Sequence, residues 1–460
     1  MKWIVITLLS CICSVAVAQK INTSLAAAIT NMEKDVQFKH AILSLYVVDT
    51  KTGKIVFDKN AQVGLAPASC QKVVTSVSAF EMLGKEYAYI TSFTNYSDVS
   101  YKDLGEKIVV SASGDPSLGS WRWEATKPEL LFKGLAGAFK NNINADKLKI
   151  VIEQKNWSTN NIPGGWVWED IGNYYGAGAS ALNWRENQYD LFLKTSAEIG
   201  NKATVIKTEP KLFDCTILSE VTAAAKGTGD RTIIYLPEDA AGVVVRGTIP
   251  VAQNSFKISG AIPDAAAQFN YEINSNVFCC FDQEASLGNN KNQKNMRPVF
   301  YQYHSPPFDS INYWFLKKSI NLYGEAFVKT IAYEKIKFGS TDSGIAIIKN
   351  FWKQKGIEPS ALNIIDGSGL SPANRITTNA LVTVMQYAKQ QKWFASFYNA
   401  LPEMNGIKMK DGYINGVRSY TGYIKNKAGN EYTFSFIVNN FDGSPATVRE
   451  KMWKVLDILK

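Results

Sequence analysis

The sequence predicts an α/β protein of the α+β kind, an antiparallel sheet with flanking helices, interrupted by a β-rich insertion of one or two lobes. Three observations predict it. A strand-turn-strand pattern stands near each end of the chain, at 41–57 and at 417–438, as one sheet shared by both termini would require. Segments of helical length, 309–318, 322–332, 343–355 and 378–390, gather in the last third. Between about 94 and 289 the texture changes to short strand-like runs broken by turn residues.

Taken in order, residues 1–18 read as an export signal. Lys2 supplies the charge, Ile4–Leu9 begin an apolar run, and Ala16-Val17-Ala18 before Gln19 is a small-x-small cleavage site. The chain is therefore expected to be exported and soluble in the periplasm or cell envelope. Leu8-Leu9-Ser10-Cys11 leaves a second reading open, a lipoprotein anchored through Cys11. No later run approaches the ~20 apolar residues of a membrane span.

Residues 22–38 read as a short amphipathic helix, and Ala41–Val48 alternate before Asp49-Thr50-Lys51-Thr52-Gly53 turns the chain into Ile55–Phe57. Residues 69–84 are an apolar segment closed by Gly84, a buried helix of roughly four turns. In the middle block, 107–111, 147–153, 232–236 and 242–246 read as strands, with Ser113-Gly114-Asp115-Pro116 and Pro163-Gly164-Gly165 as breaks. Val417–Ile424 and Tyr432–Val438 form the second hairpin, and 444–459 a closing helix.

Composition narrows the function. At 460 residues, 46% hydrophobic and 20% charged, the chain is globular, with room for two or three lobes. The net charge of +9 is spread along the chain with only 8 arginines, so it does not outline a nucleic-acid surface. Four cysteines follow the signal, Cys70, Cys215, Cys279 and Cys280, without disulfide-framework or zinc spacing. His40 and His304 are the only histidines and no G-x-S-x-G occurs, so neither a metal site nor a Ser-His-Asp triad is expected, and no cofactor is called for.

One pair does suggest chemistry. Ser69 and Lys72, spaced i, i+3 at the mouth of the apolar helix, share a helical face. An amine shifted toward neutrality by burial can take the serine proton, and backbone N–H groups at a helix start favour the negative charge that develops. The alternative is a capping serine beside a solvated lysine. Downstream, Ser319-Ile320-Asn321 sits at a helix-to-helix corner. Lys410-Asp411-Gly412 lies on the approach to the second hairpin. Asp366-Gly367-Ser368-Gly369-Leu370-Ser371, followed by Asn374-Arg375, forms a tight loop.

In that order these residues resemble the S-x-x-K, S-x-N and K-T-G signature of serine D,D-peptidases. The closer resemblance is to the D-alanyl-D-alanine carboxypeptidase/endopeptidase family, the class C low-molecular-weight penicillin-binding proteins. It extends through Ser113-Gly114-Asp115-Pro116, Tyr175-Gly176-Ala177 with Ser180-Ala181-Leu182, Ser319 to Glu325, and Gly416-Val417-Arg418-Ser419 with Gly422-Tyr423. The resemblance implies a β-lactamase/D,D-peptidase-like catalytic domain in two parts, 19–93 and 290–460, around an inserted block at 94–289. It implies that Ser69 attacks, Lys72 is the general base, Ser319 and Lys410 relay a proton to the leaving amine, and Asn321 holds the substrate amide. The backbone N–H groups of Ser69 and Tyr413 would form the oxyanion hole, with Gly412 letting the substrate approach. Peptidoglycan stem peptides, their cross-links and β-lactam antibiotics are the implied partners.

Asp170 and Tyr175 match positions used for the amino end of the peptide side chain, although Asp170 reads equally as a solvated loop residue. Arg418 reads either as a carboxylate ligand or as a surface strand residue. Lys51-Thr52-Gly53 is a hairpin tip, and Ser310-Ile311-Asn312 begins a helix, so neither replaces the later motif. Two departures bear on activity. Ile320 stands where the family has a polar residue, and Asp411 and Tyr413 replace hydroxyl side chains. Asp411 and Tyr413 motivate the rival reading, a weak or inactive homologue that binds cell-wall peptides or scaffolds partners. A β-lactamase is disfavoured because no motif for a deacylating glutamate is present.

Overall fold

The structure, a computed structural model, describes residues 19–96, 107–139, 149–237, 242–278 and 299–460. The signal-like residues 1–18 with Cys11, and Cys279 and Cys280, lie outside the described residues. The chain divides into two compact units. One takes the residues up to Met82, Asn312–Ile320 and Ile345–Lys460; the other takes Leu83–Ile311 and Asn321–Gly344.

The first unit is built on a six-stranded antiparallel sheet. Its order is Glu403–Met404, Ile407–Ile414, Val417–Lys425, Glu431–Asn439, Ile42–Asp49, Ile55–Lys59. The two hairpins meet where Leu45 pairs with Phe436, so the strand nearest each end of the chain is its partner's neighbour. Period-two alternation sends Leu43, Leu45 and Val47 to one face. There they pack with Phe434, Phe436 and Tyr420 against Leu25 and Ile29 of the helix over 19–33 and Val448 and Met452 of helix Pro445–Leu456.

The opposite face carries Ser44, Thr421, Thr433 and Ser435, all buried. Burial of these hydroxyls is offset by partners: Ser44 with Thr378 at 2.7 Å and Thr421 with Ser435 at 2.9 Å. Helices therefore cover both faces, and the strand positions do not separate into buried and wet sets. The residues approaching the second hairpin are themselves a strand, Ile407–Ile414, paired along its length with Val417–Lys425. A two-residue turn, Asn415-Gly416, joins them, with Gly416 in the left-handed region at φ 68°.

The helix Lys72–Met82 lies inside this unit, with every residue from Lys72 to Phe80 buried. Its β-branched residues make it an indifferent helix former in isolation, so packing decides its state. Ser78 returns a hydrogen bond to the Val74 carbonyl and accepts the Trp352 indole N–H at 2.9 Å.

Among the described residues, the second unit contains three sheets. Val299–His304, Ile90–Tyr96, Lys107–Ser111 and Lys149–Glu153 form one, which packs with helices Pro128–Phe139 and Ala265–Ile273 around Phe93, Leu135, Trp184 and Phe269. Phe256–Ala261, Gln188–Lys194 and Thr204–Glu209 form a second. Arg231–Tyr235, Gly242–Pro250, Thr216–Ser219 and Thr222–Ala224 form the third, and these two share a core that includes Leu191, Val245 and Ile249. Among the described residues, no helix is long and apolar enough to cross a membrane.

Candidate active site

The chain enters the first unit's site through a held turn. Both backbone polar groups of Ala66 bond to the side chain of Asn439, at 2.8 and 3.0 Å. Ala68 follows in the left-handed region at φ 46°, and a 3-10 turn, Ala68–Gln71, delivers Ser69 to the start of the buried helix. A left-handed alanine is disfavoured, and strain of this kind persists where surrounding contacts fix it.

Lys72 is fully buried, and its ammonium donates to Ser69 Oγ at 2.9 Å and to the Ser368 carbonyl at 2.8 Å. The loop that brings Ser368 is folded around the carboxylate of Asp366. That carboxylate accepts from the N–H groups of Gly369 and Ser371 and from the side chains of Asn374 and Gln71. Gly369, at φ 80°, lies so close to the Ala68 carbonyl that a side chain there would collide with it. Thr75 donates to the Gly367 carbonyl at 2.6 Å. Contacts at Ala68, Gln71, Lys72 and Thr75 thus dock this loop on the segment that carries the serine. The loop's aspartate, its glycines and Asn374 are the sequence signal for this docking role.

Under Lys72 lies Phe315, its ring centroid 5.9 Å from the ammonium. One turn along, Ser76 donates to Asn312 at 2.7 Å. Four residues forward on one helix correspond to three back on the other, so the helices run antiparallel. Ser319 follows helix Phe308–Lys318 at φ 57°, which ends that helix abruptly. Ser310, of the earlier S-x-N, instead accepts the Trp123 indole N–H at 2.8 Å. Lys51-Thr52-Gly53 is a turn closed on Asp49, which accepts from Thr52.

The strand Ile407–Ile414 borders the serine. Gly412 faces Ser69 N and Pro67 O, and Ser419 across the ladder donates to Pro67 O at 2.6 Å. Lys410 is buried and its ammonium is held by Asp411, at 2.8 Å through the carbonyl and 3.0 Å through the carboxylate. Arg418 stands 3.7 Å from the other carboxylate oxygen and donates to Tyr420 at 3.0 Å. Burial pushes the Asp411 carboxyl up, but the charge and hydrogen bond of Lys410 and the charge of Arg418 outweigh it and hold it below the ordinary range. Tyr413 is half exposed, with the Arg418 guanidinium 5.7 Å from its ring centroid. Ser69, Lys72, Lys410, Gly412, Tyr413 and Arg418 thus gather along two paired strands and one helix start.

Asn321, Asp170 and Tyr175 belong to the second unit and come together there. Asn321 begins helix Asn321–Ile336 and donates to the Tyr175 carbonyl at 2.8 Å. Burial raises the Asp170 carboxyl above its ordinary value, against a hydrogen bond from the Tyr175 side chain.

The D-Ala-D-Ala carboxypeptidase 3 (S13) family model matches residues 25–457, nearly the whole of the described chain. The chain belongs to that family. As an S13 member it is a serine-type carboxypeptidase. Its relatives include a D-alanyl-D-alanine carboxypeptidase of Actinomadura sp. (strain R39), 25% identical, covering 92% of this chain and 82% of that protein. The D-alanyl-D-alanine carboxypeptidase DacB of Haemophilus influenzae is 21% identical over 84% of this chain and 83% of its own. The crystal structure of penicillin binding protein 4 (dacB) from Haemophilus influenzae matches 91% of this chain and 96% of its own with a TM-score of 0.74, at 18% identity. The fold is thus that of penicillin binding protein 4, as the signature had implied. That protein has also been solved in complex with a β-lactam.

Proposed function

We propose that this S13 member is an exported serine D,D-peptidase that hydrolyses D-Ala-D-Ala or cross-link peptide bonds of peptidoglycan through an acyl-enzyme on Ser69. Penicillins acylate the same hydroxyl, in keeping with the β-lactam complex of its relative. The observation that carries this reading is the 2.9 Å contact between Ser69 Oγ and the wholly buried Lys72 ammonium.

In its neutral form the Lys72 amine accepts the Ser69 proton as Oγ bonds to the carbonyl carbon. Negative charge then develops on the carbonyl oxygen, where the N–H groups of Ser69 and Tyr413 receive it; one such donor is worth about 3 kcal/mol in the transition state. As the C–N bond breaks, the proton passes to the departing amine by way of Ser319 and Lys410, while Asn321 holds the substrate amide. Water then attacks the ester and returns the proton to Ser69. Gly412 gives the substrate backbone room beside the serine, and Arg418 attracts its carboxylate. Asp170 and Tyr175 receive the amino end of the peptide side chain.

The test is the intact mass of the protein after incubation with benzylpenicillin, with Ser69→Ala as control. An adduct on the native protein alone is the expected result. An adduct on Ser69→Ala would overturn the assignment of the nucleophile.

One observation favours a second reading, a weak or inactive peptide-binding homologue: Asp411 occupies the Lys410 ammonium. On that reading benzylpenicillin leaves the protein unmodified and is not consumed, and threonine at both 411 and 413 raises turnover sharply.

A further inference from the structure

The segment from Tyr174 to Leu182 has one 3-10 turn, Tyr174–Gly176, and is otherwise irregular. Five of its carbonyls are nevertheless held by side chains: Tyr175 by Asn321 at 2.8 Å, Gly178 by Asn187 at 2.8 Å, Ala179 by Lys329 at 2.7 Å, Ser180 by Asn183 at 3.3 Å and Leu182 by Ser180 at 2.6 Å. We propose that Asn187 and Lys329 are positioning residues, which fix this segment so that Tyr175 and Asp170 meet the amino end of the substrate peptide. The inference rests on the reading of Asp170 and Tyr175 as substrate-binding.

Asn187 closes an unusual stretch of backbone. Arg185, Glu186 and Asn187 are consecutive non-glycine residues in the left-handed region, at φ 53°, 53° and 49°. Such residues are disfavoured singly, and three in a row persist only where their side chains over-determine them. Each is so held. Arg185 bonds to Glu272, with its terminal nitrogen at 2.7 Å. Glu186 accepts from Ser120 at 2.6 Å, Arg122 at 2.8 Å and Tyr323 at 2.7 Å. Asn187 accepts from Trp184 N and donates to Asn183 as well as to Gly178. Tyr323 and Lys329 belong to the helix that Asn321 begins. That helix and the left-handed turn therefore hold the segment from two directions.

Lys329 is 1% exposed and divides its ammonium between the carbonyls of Asn160 and Ala179, each at 2.7 Å. Loss of water pulls it down to about 8, against the opposing charge of Glu325. A buried ammonium is a poor source of stability compared with an apolar side chain of like volume. What it provides is direction, a charged donor tying two irregular segments at fixed points. At the far end of the same segment, Gly176 lies against the Asp170 carbonyl, where a side chain could not fit. Displacement of the segment at Gly178 or Ala179 therefore moves Tyr175 relative to Asp170.

The test compares two peptides ending in D-Ala-D-Ala, one with a side chain ending in a free amine and the other with that amine acetylated. Asn187→Gly removes the tie while glycine accepts the left-handed backbone, so the turn survives. Lys329→Met removes the second tie with little change of volume. The ratio of kcat/KM between the two peptides is the readout, with Asp170→Asn setting its floor. The benzylpenicillin-reactive fraction counts folded protein. Loss of the tie is expected to lower the ratio about tenfold, chiefly through KM for the free-amine peptide. A merely structural role would lower both rates together and leave the ratio at the native value, which would overturn the proposal. Should Lys329→Met fail to accumulate, Asn187→Gly decides alone. A native protein that does not distinguish the peptides would overturn the reading of Asp170 and Tyr175, and this role with it.

Discussion

Gly412 and Ser69 are in backbone contact: a Cβ on Gly412 would stand 2.9 Å from the Ser69 nitrogen, 2.7 Å from the Pro67 carbonyl and 2.3 Å from Ser419 Oγ. The first two are fixed backbone atoms, so a methyl group must push the strand from the serine. Gly412→Ala is expected to slow benzylpenicillin acylation on the order of 10² to 10³-fold, the loss that follows from a misplaced oxyanion donor. The time course of the mass adduct measures it, with a circular-dichroism spectrum to show the fold retained.

Lys72 gives a case where function and stability separate. It is a charge buried among Ser69, Ser368 and Phe315. Lys72→Met should lower acylation by roughly 10² to 10⁴-fold, the range for loss of a positioned base. Because an apolar group of similar size relieves a buried ammonium, its Tm should be equal to or above that of the native protein. Thermal unfolding beside the acylation rate checks both halves.

Cys70, next to the nucleophile, should be inert. It is fully buried, and burial pushes its thiol up to about 11. At pH 8 only about one thiol in a thousand would be ionised. Iodoacetamide is expected to leave Cys70 untouched in the native protein and to label it after denaturation, as peptide mass mapping would show.

Asp115 should make stability depend on pH. Burial raises its carboxyl from 3.8 to about 6, opposed by hydrogen bonds from the Ser117 side chain and backbone. Between those values the folded chain holds a proton that the unfolded chain has released, so stability falls as pH rises from about 4 to 6. Asp115→Asn removes that titration. Relative to this variant, the native protein should lose stability across the same window and not regain it above pH 6. Urea unfolding at pH 4, 5, 6 and 7 provides the comparison.

The serine and its lysine were legible because three residues of helix suffice to bring them together, and the apolar run around them announces the helix. The hairpin at 41–57 was legible through its alternation. The strand Ile407–Ile414 was not, because its lysines at 408 and 410 and its glycine hide a strand covered on both faces; Asn415-Gly416 was the one local sign. Helix Pro128–Phe139 escaped notice inside a β-rich block, since Gly134 and Gly137 lower its propensity. Gly134 is there because Tyr301 occupies the space a side chain would take. The turn at Arg185–Asn187 carries no glycine at all, and the partners that hold Arg185 and Glu186 are distant in sequence. What the sequence alone could not disclose was that Arg418 also reaches Asp411, across a strand ladder.

The pairing of Ile42–Asp49 with Glu431–Asn439 has a further consequence for how the chain is made. A ribosome that has released residue 49 has almost four hundred more to add before that strand finds its neighbour, so the serine's sheet belongs to the slow, high-contact-order class. Until then Ile42–Asp49 offers an open hydrogen-bonding edge. Truncation after residue 430 would leave that edge exposed permanently, and such a product is destined for aggregation or proteolysis however complete its second unit is.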